Sequence, residues 1–245
     1  MTIYIAETSQ ITPKMISNTS TTSLRTAALI AGLALLTMVI AAPFAELFVF
    51  PKLIVPGDAA ETARNILANQ TLFRAALFGY LITFICDFVA AWALYVLLKP
   101  VNENLSLFTA WFRLVYTVIA IVAFLNLVTV VRLLNSSNAS SGFDSGQFAA
   151  QVMSSLEAFR SNWYFGLLFF GIHLGLLGVL VWMSNYIPKL VGVLLIIAGF
   201  GYLINALKPV IFPDINIDFA QYTFYGELIF MLWLLIKGPR ITGPN

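Results

Sequence analysis

Polar residues are so sparse along this chain that the apolar stretches between them define its elements. Six segments run nearly unbroken for about 20 residues, the length needed to cross a bilayer as helix: roughly 26–50, 72–98, 106–134, 161–184, 189–208 and 219–236. "KPVNEN" (99–104) and "SNYIP" (184–188) separate neighbouring segments by only a few residues, which predicts two helical hairpins. The other connections, 51–71, 135–160 and 209–218, are longer and fall on the opposite side of the bundle.

Two of the longer connections repeat their apolar residues at helical spacing. In "VPGDAAETARNILANQ", Asp58 is placed to cap a helix with Glu61 completing a capping box. Ala59, Ala63, Ile66 and Leu67 then form its apolar stripe. In "SGQFAAQVMSSLEAFRSNW" the stripe is Phe148, Val152, Leu156 and Phe159. Both are expected as short amphipathic helices at the bilayer surface. The predicted fold is therefore all-α: a polytopic membrane bundle of six transmembrane helices with two short interfacial helices. Residues 1–24 form a polar, disordered lead, 25–238 the membrane domain and 239–245 a tail. "NSSNASSG" (135–142) reads as a flexible linker. The first apolar run begins only after Arg25, too late for a signal peptide, so it is expected to remain as the first span.

Composition supports the membrane reading and removes other classes. The chain has 245 residues, 60% hydrophobic and 10% charged, against about a quarter charged in soluble domains. A net charge of +2 gives no footprint for nucleic acid. One cysteine, Cys86, and one histidine, His173, leave no internal disulfide, metal motif or bis-histidine haem to propose, and no cofactor is expected. The bilayer is the expected partner, with a second copy or another membrane protein as a further one. Lysine and arginine are evenly divided between the two sides. Those on the hairpin side (Lys14, Arg25, Lys99, Lys189, Lys237, Arg240) sit in short loops and tails, which favours cytoplasmic termini.

Ionisable groups inside the spans carry the functional information, since each costs several kcal/mol unless paired or hydrated. Four are deep: Asp87, Arg113, His173 and Glu227, from four different segments. Counted from the hairpin side at about 1.5 Å per residue, all lie about 12 to 18 Å in. Asp87 shares its helical stripe with Ala76, Tyr80, Thr83 and Ala91. Arg113 shares its own with Ser106, Thr109, Ala110, Tyr116, Thr117 and Ala120. Small and hydroxylated neighbours of this kind mark faces turned to the bundle interior. The expected pairings are Asp87 with Arg113 and His173 with Glu227. Gly171, Gly175 and Gly178 fall on the side of their helix opposite His173 and predict a packing seam, which puts that helix at the centre or at a subunit contact. Nearer the far surface, Glu46 and Arg74 are expected to pair.

A polar cluster of this composition suits three roles. It can fix helix register as a structural or assembly element, which is the leading expectation. It can serve proton-coupled or small-solute transport, with His173 taking up a proton or Arg113 holding an anion. It can belong to a membrane enzyme acting on a lipid or quinone, although no nucleophile or metal motif accompanies it.

"FAELFV", "LIVPGDAAETARNILANQTLFR", "ALYVLLKPVNENLSLFTAWFRLVY" and "IPKLVGVLLIIAGFGYLI" resemble the bacterial membrane family known as domain of unknown function 4386. The resemblance runs from Arg25 to Gly238 and is most specific in the PGDAA and LLKPVN…FRLVY stretches. It implies a multi-pass protein of the bacterial inner membrane and brings no activity, substrate or catalytic residue with it.

Overall fold

The structure, a computed structural model, describes residues 23–137, 145–211 and 223–241. The polar lead, the 138–142 part of the linker, the start of the sixth segment and the last four residues lie outside them. Every regular element among the described residues is helical: α1 (Leu24–Pro43), α2 (Phe50–Leu53), α3 (Ala59–Ala68), α4 (Gln70–Leu98), α5 (Glu103–Ser137), α6 (Ser145–Met183), α7 (Lys189–Ile211) and α8 (Tyr225–Ile236). A π-helical segment, Phe44–Val49, joins α1 to α2, and a 3-10 turn, Gly238–Arg240, follows α8.

Among the described residues, five helical stretches are long and apolar enough to cross a membrane: Leu24–Leu53, Gln70–Leu98, Glu103–Asn135, Ser145–Met183 and Lys189–Lys208. The sixth predicted span is represented by α8, an apolar helix of 12 residues. It packs on α1 and α7 as a member of the bundle, with Leu234 and Leu235 over Gly32 and the Leu194 carbonyl over Gly226. The outer surface is what a bilayer requires. On α4, Phe78, Leu81, Ile85, Phe88 and Trp92 form one exposed apolar row, the kind of surface that lies against hydrocarbon or another apolar face.

The two hairpins form as the sequence predicts. Asn102 caps α5 by accepting from the Leu105 amide at 2.9 Å, and Lys99 pairs with Glu103 at 3.0 Å. The Tyr186 hydroxyl donates to the Leu97 carbonyl at 2.6 Å, tying the second hairpin to the first. Burial of this phenol outside the spans pushes its pKa up to about 12, so it stays a donor throughout the physiological range. Arg25 donates to the Ile241 carbonyl at 2.9 Å, which brings the start of α1 and the end of the 3-10 turn together.

The longer connections differ from one another. α3 is the short helix expected after the PGD turn, where Gly57 takes a φ of 80° that only glycine adopts without strain. Asp58 caps it through the Glu61 amide at 2.8 Å. Glu61 turns instead to Arg64 at 2.8 Å, so only half of the capping box forms. The second expected interfacial helix is not separate. Residues 145–160 are the first four turns of α6, which continues unbroken to Met183 over 39 residues. No proline or glycine falls between Phe148 and Tyr164 to stop it, and its stripe of Phe148, Val152, Leu156 and Phe159 is buried. At about 1.5 Å per residue α6 is about 58 Å long, so one end must stand clear of a hydrocarbon layer about 30 Å thick.

Span one also departs from a plain helix. Pro43 has no amide hydrogen to give to the preceding turn, and the backbone takes up the loss as the π segment that follows.

Candidate functional site

α4, α5 and α6 bring three of the four deep ionisable residues together. Arg113 donates from Nη2 to Asp87 Oδ1 at 2.7 Å, and both residues are only 1% exposed. The stripes around them are buried as well: Tyr80 and Thr83 on α4, and Ser106, Thr109, Tyr116 and Thr117 on α5. Thr117 satisfies the Arg113 carbonyl at 2.8 Å and Thr83 the Gly79 carbonyl at 3.0 Å. The Thr117 and Thr83 hydroxyls thus bond within their own helices, while Ser106 donates across to the Tyr95 carbonyl of α4 at 3.1 Å. The Phe170 ring lies 5.5 Å from the guanidinium carbon, a cation–π contact, and Met38 Sδ lies 3.7 Å from Nη2.

His173, 1% exposed, completes the group in a way the sequence did not anticipate. Its Nδ1 lies 2.9 Å from the Thr109 carbonyl, and its Nε2 lies 3.2 Å from Arg113 Nη1. A carbonyl only accepts, so Nδ1 carries the hydrogen. A guanidinium only donates, so Nε2 must offer its lone pair. The two bonds together fix one neutral tautomer. A proton on Nε2 would break the bond to Arg113 and set two cations face to face.

The expected His173–Glu227 pair does not form, because the ring is already engaged at both nitrogens by α5. Glu227 on α8 sits beside the Tyr202 hydroxyl of α7, within electrostatic reach of Arg113 and Asp87. Its Oε1, together with Asp87 Oδ2 and Arg113 Nε, is buried without a hydrogen-bond partner in the protein. The Asp87–Arg113 bridge is therefore single-pronged. The space beside His173 amounts to about 10 Å³, bounded by Ser106, Thr109 and Leu177 among others. That is no more than about one water.

On the other face of α6, the glycines meet α7. A Cβ on Gly171 would stand 2.9 Å from the Gly199 carbonyl, and one on Gly178 would stand 2.6 Å from the Gly192 carbonyl. Gly199 in turn approaches the Gly175 backbone. Sequence reasoning noted one side of this seam, and the partner glycines of α7 complete it. α6 is consequently the central helix, packed on α5 through His173 and on α7 through its glycines.

The second expected pair, Glu46 with Arg74, is also absent. The π segment carries Glu46 to α4, where it accepts from the buried Tyr80 hydroxyl. Arg74 is exposed and donates to Asn135 at the end of α5, at 2.8 Å. The expected pair rested on shared depth, and depth does not decide which neighbour a side chain meets.

Beside Glu46 opens a cleft of about 700 Å³ between the far half of span one and α6. Glu46, Tyr80, Arg160, Trp163, Tyr164 and Leu167 are among its walls. Its rings touch one another, with Tyr80 5.6 Å from Phe159 and 5.5 Å from Trp163. Sequence reasoning missed this feature. The available signal was the basic-aromatic order of "RSNWYF" (160–165), the pattern of a bilayer interface.

Long apolar helices, lipid-facing aromatic rows and interior small-residue seams define a polytopic α-helical membrane protein. Within that class the chain belongs to the family described as domain of unknown function (DUF4386), whose profile matches residues 30–238. It is 35% identical over 167 residues, 68% of this chain and 86% of the relative, to an uncharacterized protein of Archaeoglobus fulgidus. No solved structure matches it.

Proposed function

We propose that this membrane protein plays a structural or assembly role, and that Asp87, Arg113 and His173 act as a register lock between α4, α5 and α6. The observation that carries this reading is the closure of the cluster: all three residues are 1% exposed, beside a void of about 10 Å³. A translocation path needs water or solute to reach its charged groups, and a proton relay needs a histidine free to accept a proton. Here the histidine acceptor is spent on Arg113. Glu227 and Tyr202 extend the same interior toward α7 and α8.

The test is a pair of single variants and their combination. Asp87→Leu and Arg113→Met are each expected to reduce abundance and thermal stability in detergent. The double variant is expected to recover most of both, since an apolar pair of similar volume removes the uncompensated charge. A double variant as damaged as either single one would overturn the lock.

We further propose the bacterial inner membrane as the location, with both bundle-end termini cytoplasmic, on the placement of Arg25, Lys99, Lys189 and Arg240 in short segments. A topology reporter fused after Arg240 is expected to be active only in its cytoplasmic form, and activity in the opposite form would reverse the orientation.

A further inference from the structure

We infer that the cleft between the π segment of span one and α6 is a binding site for a phospholipid, taken in sideways from the bilayer. Depth is the first support. Trp163 lies 20 residues before Met183, the hairpin end of α6. That distance is about 30 Å, the thickness of the hydrocarbon layer. Trp163 and Tyr164 therefore stand at its edge, and Arg160 about one turn beyond, among the headgroups. Tyr80 and Glu46 reach the same level on α4 and span one. By position along their helices, Glu157 and Arg160 lie outward of the rings and Ala42 and Leu167 inward, with Met153 farther out still.

Charge is the second support. Arg160 is exposed to the cleft and makes no ion pair among the described residues, although Glu157 stands three residues before it. Arg64, with Glu61 at the same spacing, closes its pair at 2.8 Å. The Arg160 guanidinium is thus left with its donors free at phosphate depth, and its fork matches two phosphate oxygens. Glu46 shares the cleft and accepts from Tyr80 through Oε1, but it makes no ion pair with Arg160. The volume of about 700 Å³ accommodates a glycerophosphate headgroup and the upper part of one acyl chain lying over Trp163 toward Leu167.

The experiment is native mass spectrometry of the full chain in detergent, titrated with dioleoylphosphatidylglycerol. Dioleoylglycerol, which lacks the phosphate, and glycerol 1-phosphate, which lacks the chains, are run in parallel. Phosphatidylglycerol is expected to bind at one saturable site, and the other two at least about tenfold more weakly, the worth of a charge-assisted hydrogen bond or of buried chain. Arg160→Gln is expected to weaken phosphatidylglycerol about tenfold, Arg160→Lys less, and Arg64→Gln not at all. Ala42→Trp, which fills the floor without touching the cation, is expected to reduce binding independently. Equal binding of dioleoylglycerol, equal binding of free glycerol phosphate, or an Arg160→Gln protein with unchanged affinity would each overturn the proposal. Unchanged gel-filtration elution of each variant separates loss of binding from loss of fold.

Discussion

Arg113 on α5 and Arg160 on α6 carry the same side chain into opposite circumstances. Arg113 is 1% exposed, bonded to Asp87 and His173 and backed by Phe170. Arg160 faces an open cleft with its donors uncommitted. In hydrocarbon a guanidinium is tolerated only when its charge is answered, and the answer has to come from the protein. At headgroup depth water and lipid phosphates answer it, so the protein need not. On the two readings proposed above, the difference separates a charge that holds helices together from a charge that is available for binding. The deepest charges here are answered by one another, although Asp87 Oδ2, Arg113 Nε and Glu227 Oε1 keep no partner in the protein.

Breaking the inner side of the comparison has the largest expected effect. Arg113→Ala strands the Asp87 carboxylate and removes the donor that His173 Nε2 accepts from. The expected loss is about 3 to 5 kcal/mol, seen as a collapse in abundance and in thermal midpoint. Next comes the seam that lets α6 sit centrally. Gly178→Val drives a side chain into the Gly192 carbonyl, and separation of α6 from α7 is expected to cost about 1 to 3 kcal/mol by thermal unfolding. Tyr186→Phe removes the link between the hairpins and should cost about 1 kcal/mol, read in the same assay. Arg160→Gln sharpens the comparison from the other side. Its stability is expected to stay within about 0.5 kcal/mol of the parent, as for surface positions that hold nothing in place. A destabilisation as large as that of Arg113→Ala would mean that Arg160 also holds the fold.

Much of the architecture was legible because bilayer physics writes it into composition. The apolar runs, the tight hairpins at 99–104 and 184–188, the helix after Asp58 and the bridge from Arg113 to Asp87 all follow from length, spacing and depth. What escaped has two physical sources. Partners supplied by the backbone leave no side-chain signature: the Thr109 carbonyl that captures His173 is invisible in sequence, and the histidine was assigned to Glu227 instead. Irregular or unusually long helices defeat counting at fixed angle. Glu46, in the π segment after Pro43, meets Tyr80 rather than Arg74, and the continuation of α6 through 145–160 turned an expected surface helix into one wall of the cleft. The stripe Phe148, Val152, Leu156 and Phe159 was correctly periodic, but periodicity does not say where a helix stops.

Whether the inner cluster is dry and the cleft is open can be measured in one experiment. With Cys86→Ala as background, single cysteines at Thr109, beside His173, and at Met153, in the cleft wall, are treated with a membrane-impermeant maleimide in the reconstituted protein. The account predicts rapid labelling at 153 and none at 109 until the protein is unfolded. Comparable labelling at 109 in the folded protein would contradict it, because water would then reach the charges that are described here as a lock.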